Sequence, residues 1–265
     1  MKISLIDGDI CVYRCAAVNE QADLPLARWQ VDQLLNRIIE DTQADDWKIY
    51  LSGENNFRYQ LYPDYKKHRR SKPKPRHLEG LREYLVTGWD AIICDGYEAD
   101  DALGMESRRL SSDSTTICSI DKDLLQIAGV HYNFVRREIK EVDEFNGTRF
   151  FYTQLLTGDS ADYIRGCPGV GPAKAEKAFR GCQSEYELYE RCCELYRKAL
   201  GDVWEKELEL NAHLLWIWRI ENDKWMKPQP PAKSEREGEA PPLSSTLPTN
   251  TSSEPTMTAL ETSSL

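Results

Sequence analysis

Four short apolar runs in the first half of the chain, residues 3–6, 49–51, 91–94 and 115–119, are separated from one another by stretches of helical character. This alternation constrains the fold more than any other feature. A parallel strand is reached from its neighbour only by a crossover, usually a helix, and strands buried on both faces read as unbroken apolar runs. A weaker fifth run lies at 130–134, and helical spacing covers 26–39, 78–85, 100–109 and 124–128. The expected fold is α/β, an open and mostly parallel sheet with helices packed against it. From Tyr152 the pattern turns helical, and Leu188, Cys192, Leu195 and Ala199 form a stripe of the kind that packs a core.

Three regions follow. Residues 1–150 make the α/β core, with a basic segment at about 57–80; residues 151–226 make a helical subdomain; residues 227–265 are rich in Pro, Ser and Thr. The last region has almost no large apolar side chains to offset ordering entropy, and it is expected to be disordered. No run of about 18 apolar residues is present, which argues against a membrane span. The opening MKISLIDGDI reads as a buried strand rather than a secretion signal, so a cytoplasmic setting is expected. The eight cysteines form no CxxC pairs and read as reduced core thiols.

Acids gather where the apolar runs end. Asp7 closes the first; Glu98, Asp100 and Asp101 follow the third; Asp121 and Asp123 follow the fourth; Asp159 and Asp162 stand in TGDSAD. Ligands of open parallel sheets bind at the carboxyl ends of the strands, so these groups are expected to converge. Eight carboxylates in one crevice need counter-charge, and oxygen donors without His or Cys select hard divalent cations such as Mg²⁺ or Mn²⁺. Two such ions can clamp both oxygens of a phosphodiester displacement. The net charge of −10 alone argues against a nucleic-acid partner, but concentrating acids at a metal centre leaves bases free elsewhere.

Those bases lie in FRYQLYPDYKKHRRSKPKPR, residues 57–76, with eight Lys or Arg against one acid, Asp64, and with Tyr59, Tyr62 and Tyr65 between them. Such a segment attracts phosphate by counterion release and offers rings for unpaired bases. Further on, GCPGVG at 166–171 is followed by Pro172 and Lys174. Glycines allow backbone N–H groups to approach a phosphate at a helix start, as in a helix-hairpin-helix. The carboxylates and this turn would then touch different phosphates of one strand, with a cation between the acids and theirs.

LIDGD, LYPDYKKHR, GYEADDALG, SIDKDLLQ and GDSADYIRGCPGVGPAKA together resemble the successive motifs of the 5′-nuclease superfamily, over about residues 1–180. Its members include flap endonucleases, the 5′–3′ exonuclease domain of bacterial DNA polymerase I and stand-alone phage exonucleases. The resemblance implies a PIN-like core, an arch and a helix-hairpin-helix. It implies two divalent ions, Mg²⁺ with Mn²⁺ as a substitute, held by Asp7, Glu98, Asp100, Asp101, Asp121, Asp123, Asp159 and Asp162. Lys66 matches an arch lysine at the scissile phosphate, and with Asp7 and Asp123 it makes the expected catalytic set. Arg14, Tyr65, Lys66, Lys67, Arg69, Arg70, Gly169, Gly171 and Lys174 are the expected nucleic-acid contacts, Tyr65 by base stacking. The implied partner is DNA with a free 5′ end or 5′ flap, with RNA–DNA hybrid as a further substrate, acted on by a monomer with no membrane attachment. No polymerase region follows in the sequence, which suits a free-standing phage or bacterial enzyme.

Two departures stand out. LSGENN follows the second run where family members commonly carry an aspartate, leaving Ser52 or Glu54 as its replacement, and Tyr163 and Arg165 stand where Asn and Pro are usual, beside an expected K⁺ site at the hairpin. Two other readings remain open at this level. Asp7-Gly8-Asp9 resembles the nucleophile motif of haloacid-dehalogenase-like phosphatases, and the same fold could serve a non-catalytic structure-specific DNA-binding protein.

Overall fold

The computed structural model describes residues 1–70 and 72–231; the segment expected to be disordered lies, from residue 232 on, outside the described residues. In chain order the elements are β1 (Ile3–Asp7), α1 (Gly8–Val18), α2 (Leu24–Thr42), β2 (Asp46–Asn56), α3 (Phe57–Leu61), α4 (Lys67–Arg70), α5 (Leu78–Trp89), β3 (Ile92–Gly96) and α6 (Ala99–Leu110). They continue with β4 (Thr115–Cys118), a 3₁₀ turn (Lys122–Gln126), β5 (Gly129–Asn133), β6 (Glu138–Val142), α7 (Glu144–Thr157), α8 (Pro172–Ala178), α9 (Glu185–Leu200) and α10 (Trp204–Leu215). Met1–Pro230 forms one compact unit. No helix among the described residues is long and apolar enough to cross a membrane.

The sheet order is β3-β2-β1-β4-β5-β6, parallel except for β6, which runs antiparallel to β5. The chain winds outward from β1 in one direction and restarts from β4 in the other. That reversal opens a crevice beyond the carboxyl ends of β1 and β4. The period-2 alternation of each strand loads both faces. Ile6, Ile49, Leu51 and Cys118 pack with α1, α2 and α5, whereas Leu5, Tyr50, Ile117 and Cys94 pack with α6. A third core, including Phe151, Tyr152, Phe179, Leu188 and Tyr196, joins α7, α8, α9 and α10.

Helix α1 starts with no loop after β1. Asp7 is its cap, accepting a bond from the Ile10 amide at 3.1 Å. Gly8 is required there by close approach, since a Cβ would meet the Tyr50 carbonyl oxygen at 2.6 Å. The expected helix at 124–128 is instead a 3₁₀ turn two residues earlier, Lys122–Gln126, and α7 begins at Glu144, ahead of the expected Tyr152. All eight cysteines are free thiols, and seven are buried.

Candidate active site

Each acid is carried by an element end at the crevice. Asp7 ends β1, Glu98 and Asp100 stand at the start of α6, Asp121 and Asp123 flank the start of the 3₁₀ turn after β4, and Asp159 and Asp162 follow α7. The local bonds hold their carboxylates in place. Ser119 donates to Asp7 Oδ2 at 2.7 Å, the Asp123 amide donates to Asp121 Oδ1 at 2.9 Å, and Gln154 Nε2 donates to Asp123 Oδ1 at 2.7 Å. The Ala161 and Asp162 amides donate to Asp159 Oδ1 at 2.7 and 3.2 Å.

The acids sense one another. Burial, then Asp9 and Asp121, raises Asp7 to about 7 against the helping bonds from Ser119 and Ile10. Burial, with Asp121 and Asp159, raises Asp123 to about 7. Asp100 is pushed well above the carboxylate range by burial, then by Asp7, Asp121 and Glu98. Among the described residues no three His, Cys, Asp or Glu groups stand ready-made in coordinating geometry. The donor chemistry nonetheless fits a hard divalent cation, because all the candidates are oxygens and their shared cost is uncompensated negative charge.

Cations of the arch already answer part of that charge. Lys66 Nζ lies 2.5 Å from Glu98 Oε1 and 3.7 Å from Asp162 Oδ2, and an Arg69 Nη lies 3.0 Å from Asp162 Oδ1. Burial works against the Lys66 charge, but Glu98 and Asp162 outweigh it and hold its pKa above the ordinary lysine value. Burial likewise raises Glu98, yet Lys66 and Arg58 prevail and its net shift is downward. On the far side, Lys122 Nζ lies 3.4 Å from Asp159 Oδ2 and 3.8 Å from Asp123 Oδ1.

Two expected roles need correction. Asp101 is wholly buried, and its oxygens accept from Arg58 Nη1 at 2.6 Å, Arg58 Nη2 at 2.9 Å, the Glu98 amide at 3.0 Å and the Trp218 amide at 3.0 Å. Four donors fill its lone pairs, so it anchors α6 rather than offering oxygen to a metal. Tyr65 is 1% exposed and donates to Glu98 Oε2 at 2.9 Å, so its ring is core, not a surface on which a base can stack.

The other expected contacts are spread along the surface. Arg14 is exposed on α1, Lys67 is exposed and pairs with Asp64 at 3.0 Å, and the Arg70 side chain lies outside the described residues. Gly169 has φ +73°, a Cβ on it or on Gly171 would meet nothing within 4 Å, and Lys174 Nζ donates to the Gly169 carbonyl at 3.2 Å. That open turn leaves its backbone reachable by a bulky anion. Ser52 Oγ accepts from the Ala99 amide at 2.9 Å and so ties β2 to the start of α6, while Glu54 is exposed. Arg58, Arg82, Ser119 and Gln154 escaped the sequence reading. Single polar residues with no spacing signature cannot be told from surface ones.

The raised acids carry a pH signature. Folded Asp7 and Asp123 keep protons from about 4 to about 7 that an unfolded chain has lost, so the metal-free fold loses stability as pH rises through that span. A divalent cation held at these acids would displace those protons. The gain in melting temperature from Mg²⁺ over chelator is therefore expected to grow between about pH 5 and about pH 8. A gain that is flat or falls with pH would mean these acids do not meet the metal.

The family described as 5′-3′ exonuclease, N-terminal resolvase-like domain, matches residues 2–152. A protein named flap endonuclease Xni of Shewanella sp. (strain ANA-3) is 30% identical over 195 residues, covering 68% of this chain and 75% of that protein. DNA polymerase I of Bacillus caldotenax is 26% identical over 206 residues, 68% of this chain and 23% of that one. The fold is similar to that of the bacteriophage T5 D15 flap endonuclease in complex with DNA and metal ions. That likeness has a TM-score of 0.57 at 16% identity over 81% of this chain and 99% of that one.

Proposed function

Because this chain belongs to the 5′-3′ exonuclease family, we propose that it hydrolyses DNA phosphodiesters near a free 5′ end or at the base of a 5′ flap, with Mg²⁺ as the working ion. One observation carries this reading. Burial and then neighbouring acids raise Asp7 and Asp100, with Asp121 among the neighbours of both, and raise Asp123, with Asp159 and Asp162 among its neighbours. Acids distant in the chain thus meet in the crevice beyond β1 and β4, while an arch lysine faces them. A non-catalytic binder gains nothing from buried acids set against phosphate.

Asp7, Glu98, Asp100, Asp121, Asp123, Asp159 and Asp162 would hold two divalent ions, for which Mn²⁺ substitutes. When bound, such ions supply a water of lowered pKa and positive charge on the phosphoryl oxygens. Ser119 and Gln154 orient Asp7 and Asp123 toward that task. Lys66, which pairs with Glu98 in the metal-free structure, would donate to the phosphoryl oxygens as their charge grows. The products are a 5′-phosphorylated fragment and a 3′-hydroxyl. We assign this chemistry to residues 1–150 together with Asp159 and Asp162, and the grip on flanking duplex to the rest of 151–226, through Gly169, Gly171 and Lys174, with K⁺ at the hairpin. RNA–DNA hybrid is a further substrate, and eight free thiols suit a reducing cytoplasm.

The phosphatase reading lacks its second acid. Both oxygens of Asp9 are engaged, one by Arg82 and the other by the Ser52 amide at 2.9 Å, so Asp9 braces α1 against β2. The test uses end-labelled duplex, 5′-flap and RNA–DNA hybrid with Mg²⁺ or chelator; gel-shift binding without Mg²⁺-dependent cleavage would sink the proposal. Lys66→Ala is expected to lower kcat about 100-fold or more with little change in DNA affinity. The opposite pattern would make Lys66 a binding residue alone.

A further inference from the structure

Lys66 and Tyr163 both adopt left-handed backbone conformations, with φ of +54° and +65°. Side chains with a Cβ rarely do so, and such strain persists only where the surroundings fix it. The two residues face each other, because the Lys66 amide donates to the carbonyl of Asp162, next to Tyr163, at 3.0 Å. The Tyr163 ring lies nearly parallel to Tyr62, with centroids 6.5 Å apart and an interplanar angle of 13°. The same ring stands edge-on to His68 at 4.7 Å and 83°. Tyr62 precedes Lys66 by four residues and His68 follows it by two, so one ring spans both flanks of the lysine. The loop that carries that ring is closed by a reciprocal pair of bonds: the Asp159 amide donates to the Ile164 carbonyl at 2.9 Å and the Ile164 amide to the Asp159 carbonyl at 2.7 Å.

We propose that Tyr163 is a positioning residue for Lys66, its ring clamping the base of the arch so that the lysine is aimed into the carboxylate crevice. The inference rests on the nuclease reading and assigns this chain a contact between arch and hairpin loop that sets turnover. Offset aromatic pairs favour one relative orientation, which supplies the direction a flexible lysine stem lacks. A misplacement of about 1 Å at a reacting centre costs about 100-fold in rate.

Two variants separate ring from backbone. Asparagine tolerates the left-handed conformation and lacks the ring; phenylalanine keeps it. Tyr163→Asn is expected to lower kcat about 10- to 100-fold with KM nearly unchanged, and Tyr163→Phe to keep wild-type turnover. Combined with Lys66→Ala, Tyr163→Asn should add no further loss, because both act through one group. Hydrogen exchange at the Lys66 amide, followed by NMR, reads the clamp without activity and should quicken in Tyr163→Asn only. Wild-type turnover in Tyr163→Asn would overturn the proposal. If the wild-type protein cuts no substrate, the nuclease reading fails instead, and unchanged Lys66 exchange in Tyr163→Asn then overturns the clamp as well.

Discussion

Asp7→Asn is expected to lower Mg²⁺-dependent cleavage at least about 100-fold while raising the melting temperature of the metal-free protein. The two effects have one cause. Asp7 is 2% exposed, and its carboxyl is raised to about 7 by burial and by Asp9, so at about pH 8 the folded state carries a charge that its surroundings disfavour. The amide removes that charge and keeps the geometry, because its oxygen still accepts from the Ile10 amide and its nitrogen can donate to Ser119 Oγ. The thermal gain should be roughly 5 °C at about pH 8 in chelator and should vanish below about pH 3, where the wild-type acid is protonated in both states. Activity within tenfold of wild type would remove Asp7 from the metal-binding set. Lost activity without a thermal gain would show that its charge is already compensated.

Arg58→Met should cost about 3–5 kcal/mol of stability, or roughly 10 °C in melting temperature. Arg58 is 2% exposed and donates twice to Asp101, to the Leu214 carbonyl at 2.9 Å and to the Trp216 carbonyl at 2.8 Å. Its removal strands a buried carboxylate, the buried Leu214 carbonyl and the partly buried Trp216 carbonyl. Adding Asp101→Leu to Arg58→Met should recover a large part of the loss, since an apolar pair avoids the desolvated charge altogether. Urea melts of both variants decide the matter. A loss below about 1 kcal/mol in the single variant, or no recovery in the double, would mean the ion pair is not what holds this junction.

The sequence announced the crevice because three of the four acidic clusters follow an apolar run, and a run that ends in Asp at a sheet's carboxyl edge can be read without coordinates. It could not announce which acids face one another and which face inward. Asp100 and Asp101 are neighbours in GYEADD, yet one shares the charge of the crevice and the other is sealed by Arg58. Helical geometry turns successive side chains apart by about 100°, and nothing local marks which direction is the core. Arg58 was hidden for the complementary reason: it belongs to a run of bases that reads as a solvated arch, and only its contacts with α10 make it interior. Tyr65 sits in the same run and is likewise interior. Helix α1 was missed because no turn residues separate it from β1, and β6 because REIKEV is an exposed edge strand with only Val142 buried.

The Arg58 junction also sets a temporal order. A ribosome delivers Asp7, the arch and α6 well before Leu214 and Trp216, whose carbonyls complete the hold on the guanidinium that anchors Asp101 and, through it, the Glu98 end of α6. Until those late residues emerge, the acidic crevice lacks its frame. A chain that stops before Leu214 therefore lacks two of the four bonds that hold the Arg58 guanidinium.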